Sequence, residues 1–424
     1  MGTTYPHQRL KPLTFRPPRN NRAVISVAGK LLLPLALRFH IKVSSVEIQQ
    51  EDLARLKQLK QERVVLLPNH SEEYEPYILF HLSKLLGMEF NYLTAQELFE
   101  KGRVQGWFLQ GAGAYSIVRG TADRASFRMT RQLLVEGKRW LVAFPEGVAV
   151  GLGDLLMPFQ SGIAQLGFWA CEDLTKVMHD LPAIYFVPVA LKYLYTRDMR
   201  GEIEESLGRL EQKLLNDPDS RAMTPMDRLL RIGDAVLSAN EKTRGVRPQP
   251  GISFNKRVQY LKELIIARVA AALGISLRTE QPLMDRIRTV QNSIDQILYA
   301  EPSGTDYEQQ LLVRRQEEVR ELADNVLQVR GFAAFDTAYV EGGVTAERFL
   351  DVLRLLELEI FGKQRFWGPR KVVLRVGEPL DLQAYVKRYR ADREGGLEEV
   401  TRIMEDAVRG MLTELSGLSQ PFLG

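Results

Sequence analysis

The chain has almost no cysteine, the residue that forms disulfide bonds and many zinc sites. Of its 424 residues only Cys171 is a cysteine, so an intrachain disulfide and a cysteine zinc site are both excluded. A single thiol fits a reducing compartment, and we expect a cytoplasmic protein. Apolar residues make up 45% of the chain and charged residues 26%, which is typical of a folded globular protein.

Signatures of several common function classes are also missing. The segment Gly111-Ala112-Gly113 lacks the third glycine of a dinucleotide-binding loop, and there is no phosphate-binding P-loop. The Gly-x-Ser-x-Gly elbow of serine hydrolases is absent. The basic leader of the chain has no interleaved aromatic platforms, so a nucleic-acid partner is not expected.

Acidic residues are absent from positions 1–46, where eight Lys or Arg residues occur. Within this leader Ala23–Phe39 is mostly apolar, but Lys30 and Pro34 interrupt it, and we expect it to be too short for a membrane span. Residues 1–39 are therefore predicted to lie in the plane of an anionic membrane, which would make the protein peripheral to that membrane. Two alternatives are an arm that packs on the body and a transit peptide, since transit peptides are also Arg-rich and acid-poor.

Short apolar runs alternate with helical patterns over residues 40–199, which indicates an α/β domain with a mostly parallel sheet flanked by helices. Residues 200–365 are helical in pattern, and the run Lys371–Leu380 then predicts another strand, followed by a closing helix. A lone strand is unstable without a sheet to join. We therefore interpret residues 200–365 as a helical insertion in one α/β domain that residues 366–424 complete. The alternative is an independent helical C-terminal domain carrying a stray strand.

The second predicted strand runs directly into Asn69-His70, and a turn rich in carboxylates follows. Sites in α/β sheets gather beyond the carboxyl ends of strands. A histidine there can act as a general base if a carboxylate fixes its tautomer and stabilises its cation. Four residues separate His70 from Glu75, while Glu72 and Glu73 are alternative partners. Because this turn lacks a helical i,i+4 histidine pair, no metal site is predicted.

Three later segments complete a recognisable order. They are Gly113–Arg119, Phe144-Pro145-Glu146-Gly147 and Val187-Pro188-Val189, each in or directly after a predicted strand. With the histidine block they resemble the glycerolipid acyltransferase family, the phosphate acyltransferases of phospholipid synthesis. The resemblance covers roughly residues 40–195 and 366–390. It does not cover the helical insertion.

This resemblance implies an O-acyltransferase whose base takes the proton of an acceptor hydroxyl as that oxygen attacks a thioester. The implied catalytic pair is His70 and Glu75, and the implied substrate-binding residues are Asn69, Arg119, Glu146 and Gly147. Arg119 would hold the acceptor's phosphate, because guanidinium binds phosphate through two parallel hydrogen bonds. The implied partners are an acyl thioester donor, a lysophospholipid or lipid alcohol acceptor and a membrane surface. Acyl-CoA or acyl carrier protein would be a co-substrate, and no cofactor is expected.

Two positions depart from the family pattern. Glu75 stands where the family has aspartate, and Val148-Ala149 replace a small hydroxyl residue and an arginine. The loss of that arginine raises acyl transfer to an unphosphorylated lipid alcohol as an alternative. A second alternative is a non-catalytic lipid-binding protein that keeps the fold. The enzyme hypothesis requires the His70 and Glu75 side chains to lie within about 2.6–3.2 Å of each other. Other interpretations are that Arg119 pairs with Asp123 or Glu136 and that Glu146 braces a turn.

Overall fold

The computed structural model describes residues 14–100, 102–118, 123–177, 182–215, 222–247, 251–300, 304–333, 339, 344–363, 365–419 and 421–422. These residues form one sheet of eight strands, with helices packed on it and beside it. The strands are β1 Val43–Ile48, β2 Arg63–Pro68, β3 Phe90–Ala95, β4 Ala114–Ile117, β5 Trp140–Val142, β6 Ile184–Tyr195, β7 Arg370–Val376 and β8 Leu380–Asp381. The helices of the first half are α1 Arg22–His40, α2 Gln50–Gln58, α3 Glu75–Leu86, α4 Glu97–Glu100, α5 Arg103–Gly111, α6 Arg124–Glu136 and α7 Gly162–Val177. The later helices are α8 Arg200–Leu214, α9 Pro225–Thr243, α10 Phe254–Leu273, α11 Leu283–Leu298, α12 Asp306–Ala333, α13 Ala346–Phe361, α14 Gln383–Ala391 and α15 Arg393–Ser416.

The sheet has the order β1-β7-β6-β2-β5-β3-β4, with β8 also paired to β6. The strands β6, β2, β5, β3 and β4 are parallel to one another, whereas β7 and β8 run antiparallel to β6. The predicted α/β fold with a mostly parallel sheet is therefore confirmed. Residues of β2 face alternate sides of the sheet and are buried on both, as expected for a central parallel strand.

Two apolar layers cover the sheet. On one side, α7, α14 and α15 pack against Val65 and Leu67 of β2. On the other side, α3 packs against Val64 and Leu66. The sheet is thus enclosed by helices, and only its strand ends and edges are left for a site.

The helices between β6 and β7 form two further apolar clusters. Helices α8, α9 and α13 share one cluster, which also includes Leu152 from the loop after β5. Helices α10, α11 and α12 share the other. Strand β7, which follows these helices in the chain, lies between β1 and β6 in the sheet. The chain therefore leaves the sheet after β6 and returns to it after α13.

The N-terminal leader differs from the expectation in length. Helix α1 has 19 residues and is long and apolar enough to cross a membrane by length and composition, so the expectation that this segment is too short was wrong. The expectation counted Lys30 and Pro34 as interruptions of Ala23–Phe39, whereas the helix continues through both residues. One face of α1 packs on the body, whereas several large apolar side chains point outward. The exposed ones are Val27, Leu31, Leu32, Leu35 and Phe39.

The residues just before α1 lie along strand β4. The backbone N–H of Arg16 donates to Ser116 Oγ at 2.8 Å, and the Ser116 N–H donates to the Arg16 carbonyl at 3.0 Å. The side chain of Gln96 donates to the Thr14 carbonyl, and that of Gln110 to the Pro17 carbonyl. This part of the leader therefore packs on the body, as one of the alternatives predicted.

Candidate active site

The site residues meet at one edge of the sheet because their strands run in parallel. Strands β2 and β5 are neighbours, with Leu66 opposite Val142. Asn69-His70 follows β2, and Phe144-Pro145-Glu146 follows β5, so both segments leave the sheet at its carboxyl edge. Adjacent strands are about 4.8 Å apart, which brings the two segments into contact.

His70 and Glu75 form the contact that the sequence predicted. His70 Nδ1 lies 2.9 Å from Glu75 Oε2, inside the range required for a hydrogen bond. The His70 side chain is 18% exposed, and the Glu75 side chain is fully buried. The rings of His70 and Phe144 lie 4.3 Å apart, so Phe144 limits how the imidazole can turn. Glu75 therefore engages Nδ1 and leaves Nε2 as the ring nitrogen that takes no part in this contact.

Glu75 is itself held in place. It is the first residue of α3, where a carboxylate is favoured by the helix dipole. Its Oε1 accepts hydrogen bonds from Ser71 Oγ at 2.9 Å and from the Glu72 N–H at 2.6 Å. The longer glutamate side chain therefore closes the turn on itself while its other oxygen reaches His70.

Asn69 ties this turn to strand β6. Its side-chain amide donates to the Leu191 carbonyl at 3.1 Å, and its Oδ1 accepts the Leu191 N–H at 2.7 Å. The side chain is 1% exposed and is thus committed to the backbone. This geometry favours a bracing role for Asn69 over the substrate contact that the resemblance implied.

Glu146 is likewise fully buried and joins two loops. One of its oxygens accepts the backbone N–H of His70, and the other accepts the Met157 N–H at 2.7 Å. Burial raises the pKa of Glu146 to about 7, although these two N–H donors act in the opposite direction. Of the two roles predicted for Glu146, the contacts favour bracing. The next residue, Gly147, has φ of +73°, a conformation in which glycine is favoured.

Glu72 is not a partner of His70. Its Oε1 accepts hydrogen bonds from Arg354 Nη1 and Arg370 Nη1, each at 2.6 Å, and all three side chains are buried. Burial alone would raise the pKa of Glu72, but the two guanidiniums outweigh it and lower the pKa to about 2. The remaining alternative, Glu73, is exposed.

Arg119 lies outside the described residues, whereas strand β4, which ends at Ile117, is described. β4 is three positions away from β2 in the sheet, so the strand axes are about 14 Å apart. Asp123, one of the partners considered for Arg119, accepts the Val118 and Ser126 N–H groups at 3.0 Å each. Within the described residues, no group of three or more His, Cys, Asp or Glu is arranged to hold a metal ion.

Sequence reasoning missed the buried ion network around this site. Besides Arg354 and Arg370 on Glu72, it includes Lys192 paired with Asp154, and Arg348 donating to Asp154 at 2.8 Å. The partners lie on different elements, and Arg354 is 282 positions away from Glu72 in the chain. No local spacing signals such a pair, although buried arginine in a helix pattern is unusual enough to prompt a search for one.

One comparison with known protein families finds a match over the segment that contains these motifs. A sequence model described as Acyltransferase matches residues 42–192. The matched segment begins just before β1 and ends within β6, so it contains the His70 turn and the Glu146 loop but neither the helices after β6 nor strand β7. No curated protein matches the chain.

Proposed function

We propose that this acyltransferase, whose residues 42–192 match the family of 1-acylglycerol-3-phosphate O-acyltransferase-like domains, moves a fatty acyl group from an acyl thioester to a lysophospholipid or glycerol phosphate. The observation that carries this proposal is the contact of 2.9 Å between His70 Nδ1 and Glu75 Oε2 at the carboxyl edge of the sheet. With Nδ1 engaged by Glu75, Nε2 is the ring nitrogen left to act as the base.

In the proposed reaction, Nε2 of His70 takes the proton of the acceptor hydroxyl as that oxygen attacks the thioester carbonyl. The tetrahedral intermediate then collapses, the carbon–sulfur bond breaks, and the proton passes from His70 to the leaving thiolate. Glu75 stabilises the imidazolium between these two steps. No covalent enzyme intermediate is required.

The oxyanion of the intermediate needs hydrogen-bond donors. Two N–H groups of the turn are already used, because the His70 N–H donates to Glu146 and the Glu72 N–H donates to Glu75. We therefore expect the oxyanion donors to lie elsewhere along the opening.

A second candidate is acyl transfer to an unphosphorylated lipid alcohol. Val148-Ala149 supply no cation after β5. Arg354 is buried and neutralised by Glu72, and it also donates to the Gly151 carbonyl. Among the arginines in the motifs, this leaves Arg119 as the candidate for binding a phosphate. The two candidates differ in whether this arginine is needed.

We further propose that the outward face of α1 lies on an anionic membrane. Several large apolar side chains on that face are exposed, and Lys30 and Arg38 belong to the same helix. Apolar burial combined with basic residues at the headgroups is the pattern of an interfacial helix. Such a location would bring the site to its lipid substrates.

The test of the reaction is acyl transfer in liposomes by the wild type, His70→Ala and Arg119→Ala. Labelled acyl-CoA and acyl-acyl carrier protein are offered with phosphorylated and unphosphorylated acceptors. We expect His70→Ala to lose about 10²–10⁴-fold in rate, as for loss of a general base. If Arg119→Ala loses activity only with phosphorylated acceptors, a phosphorylated acceptor is supported. If Arg119→Ala is as active as the wild type on every acceptor, the unphosphorylated lipid alcohol is supported. Unchanged transfer by His70→Ala would refute the mechanism.

The test of membrane binding is sedimentation with vesicles of phosphatidylcholine containing phosphatidylglycerol. Leu35→Asp is compared with Leu311→Asp on helix α12, because these side chains are 48% and 46% exposed. We expect only Leu35→Asp to weaken vesicle binding, and equal binding by the two variants would contradict the proposed face.

A further inference from the structure

Helix α13, outside the segment matched to the family, places one arginine against two loops of the site. Arg354 Nη1 donates to Glu72 Oε1 at 2.6 Å, and its Nη2 donates to the Gly151 carbonyl at 2.7 Å. A third contact joins Nη2 to Asp351 Oδ1 at 3.2 Å within the same helix. The Arg354 side chain is 4% exposed, so water cannot replace these partners easily.

The first of these loops contains His70. Glu72 lies two residues after His70, and the Glu72 N–H donates to the same Glu75 carboxylate that holds the imidazole. A shift of Glu72 therefore moves both the backbone after His70 and the Glu75 contact. The pKa of Glu72, lowered to about 2, keeps it ionised at any pH at which the protein would act.

The second loop follows Glu146. The Gly151 N–H donates to the Ser71 carbonyl at 2.8 Å, which links this loop directly to the His70 turn. Gly151 has φ of +83°, and a Cβ there would lie 3.0 Å from Leu355 of α13. Next to it, Leu152 is 1% exposed within the apolar cluster of α8, α9 and α13, and the Gly153 N–H donates to Asp351 Oδ2 at 2.7 Å. Helix α13 thus holds this loop by apolar and polar contacts together.

We propose that Arg354 is a positioning residue of the reaction, through which the helical insertion holds the His70–Glu75 pair in its working geometry. This inference rests on the proposed function of that pair. It assigns the insertion a part in catalysis, since the arginine reaches the site from a helix outside the matched family segment. Catalytic groups tolerate displacements of only about 0.5 Å before the rate falls.

A purely structural role is the competing explanation, and the chain supplies a control for it. Arg228 is 3% exposed and donates to Glu211 through Nε and Nη2, each at 2.8 Å. This pair joins α9 to α8 inside the insertion and contacts neither loop of the site. Removing Arg228 therefore costs a buried arginine–glutamate pair without touching the His70 turn.

The experiment compares Arg354→Met with Arg228→Met in the full chain. Methionine keeps much of the side-chain volume and removes the charge and the donors. We expect Arg354→Met to lower kcat about 10- to 100-fold with KM changed less than about threefold, because the groups that act in the transition state are misplaced. Arg228→Met should keep kcat within about twofold of the wild type. Arg354→Lys, which restores the charge and one donor nitrogen, should recover part of kcat.

A second measurement does not depend on acyl transfer. With ¹⁵N-labelled histidine, ring shifts report the tautomer of His70, assigned by comparison with His70→Ala. We expect a single Nδ1–H form in the wild type and Arg228→Met, and a mixture in Arg354→Met. Two results together would separate the claims. If neither the wild type nor any variant transfers acyl groups, but the tautomer changes only in Arg354→Met, then the proposed function fails. The role of Arg354 in positioning the His70–Glu75 pair would still stand.

The route through Glu72 is tested by a double-mutant cycle. If Arg354 acts through Glu72, then Arg354→Met should lower kcat much less in a Glu72→Gln background than in the wild type. The proposal is overturned if Arg354→Met and Arg228→Met have equal kcat and equal His70 spectra. It is also overturned if both variants lose thermal stability but the His70 spectrum of each is the same as that of the wild type.

Discussion

The raised pKa of Glu146 leads to a prediction about stability that has a definite sign. Burial raises this pKa to about 7, from an ordinary value of 4.5. A group whose pKa is raised on folding contributes stability that is fully present below the unfolded pKa and is lost as the pH rises through the folded one. Glu146 should therefore make the protein less stable as the pH increases from about 4.5 to about 7. Glu146→Gln removes this dependence.

The size of the effect follows from the two pKa values. A difference of about 2.5 between them corresponds to about 3 kcal/mol in the free energy of unfolding. In the variant, the glutamine oxygen can accept only one of the two N–H groups that Glu146 accepts, from His70 and Met157. The unmet N–H costs about 1–3 kcal/mol. The wild type should thus be more stable than the variant at pH 5. This advantage should shrink by about 2.5 kcal/mol by pH 8, because part of the effect is already lost at pH 5.

The measurement is urea unfolding at pH 5, 6, 7 and 8, followed by the fluorescence of the buried Trp140 and Trp367. Glu72→Gln is the control, because its carboxyl, with a pKa of about 2, stays ionised over this whole range. Its cost should therefore not vary with pH. A gap between wild type and Glu146→Gln that is constant, or that widens toward pH 8, would refute the reasoning.

Three further outcomes are expected. Glu75→Asp introduces the aspartate of the family pattern, yet it should lower kcat about 10- to 100-fold. The shorter side chain on the same backbone cannot reach the position 2.9 Å from His70 Nδ1. Wild-type turnover in the variant would contradict this. Gly147→Ala should lower the free energy of unfolding by about 1–3 kcal/mol, measured by urea titration, because φ of +73° is strained for alanine and the new methyl would meet Gln160. Cys171 should not react with a thiol reagent in the folded protein but should react in urea. It is fully buried, and burial raises its pKa to about 12. Labelling without denaturant would count against the packing of α7.

The sheet was predictable because its strands are short apolar runs between turn residues. The apolar run Val64–Pro68, for example, is one residue shorter than β2 as the structure has it. Helices with a weaker apolar periodicity leave less signal in the sequence. Helix α5 contains Gly106 and Gly111 in nine residues, and α2 is mostly polar, so neither stood out from a loop.

The candidate site was predictable where it depended on neighbours in the chain and not where it depended on the fold. The pairing of His70 with Glu75 spans five positions, so a motif could show it. The sequence favoured Glu75 as the partner of His70 and left Glu72 and Glu73 as alternatives. What excludes Glu72 is the return of α13 and β7 to this edge, because Arg354 and Arg370 bind its carboxylate. Ion pairs between distant segments have no local pattern, because their partners are set by packing.

The position of β1 at the edge of the sheet has a consequence for synthesis of the chain. Among the described residues β1 pairs only with β7, whose first residue is made about 320 residues after β1 ends. At about 5–20 residues per second, a ribosome needs about 15–65 s to produce that partner. For that time β1 is without the strand that pairs with it, while β2 to β6 can already assemble. Helix α1 packs through Leu33 and Leu37 on α3, which is made early. The edge strand β1 is therefore the part of this region whose pairing waits until the helices between β6 and β7 have been made.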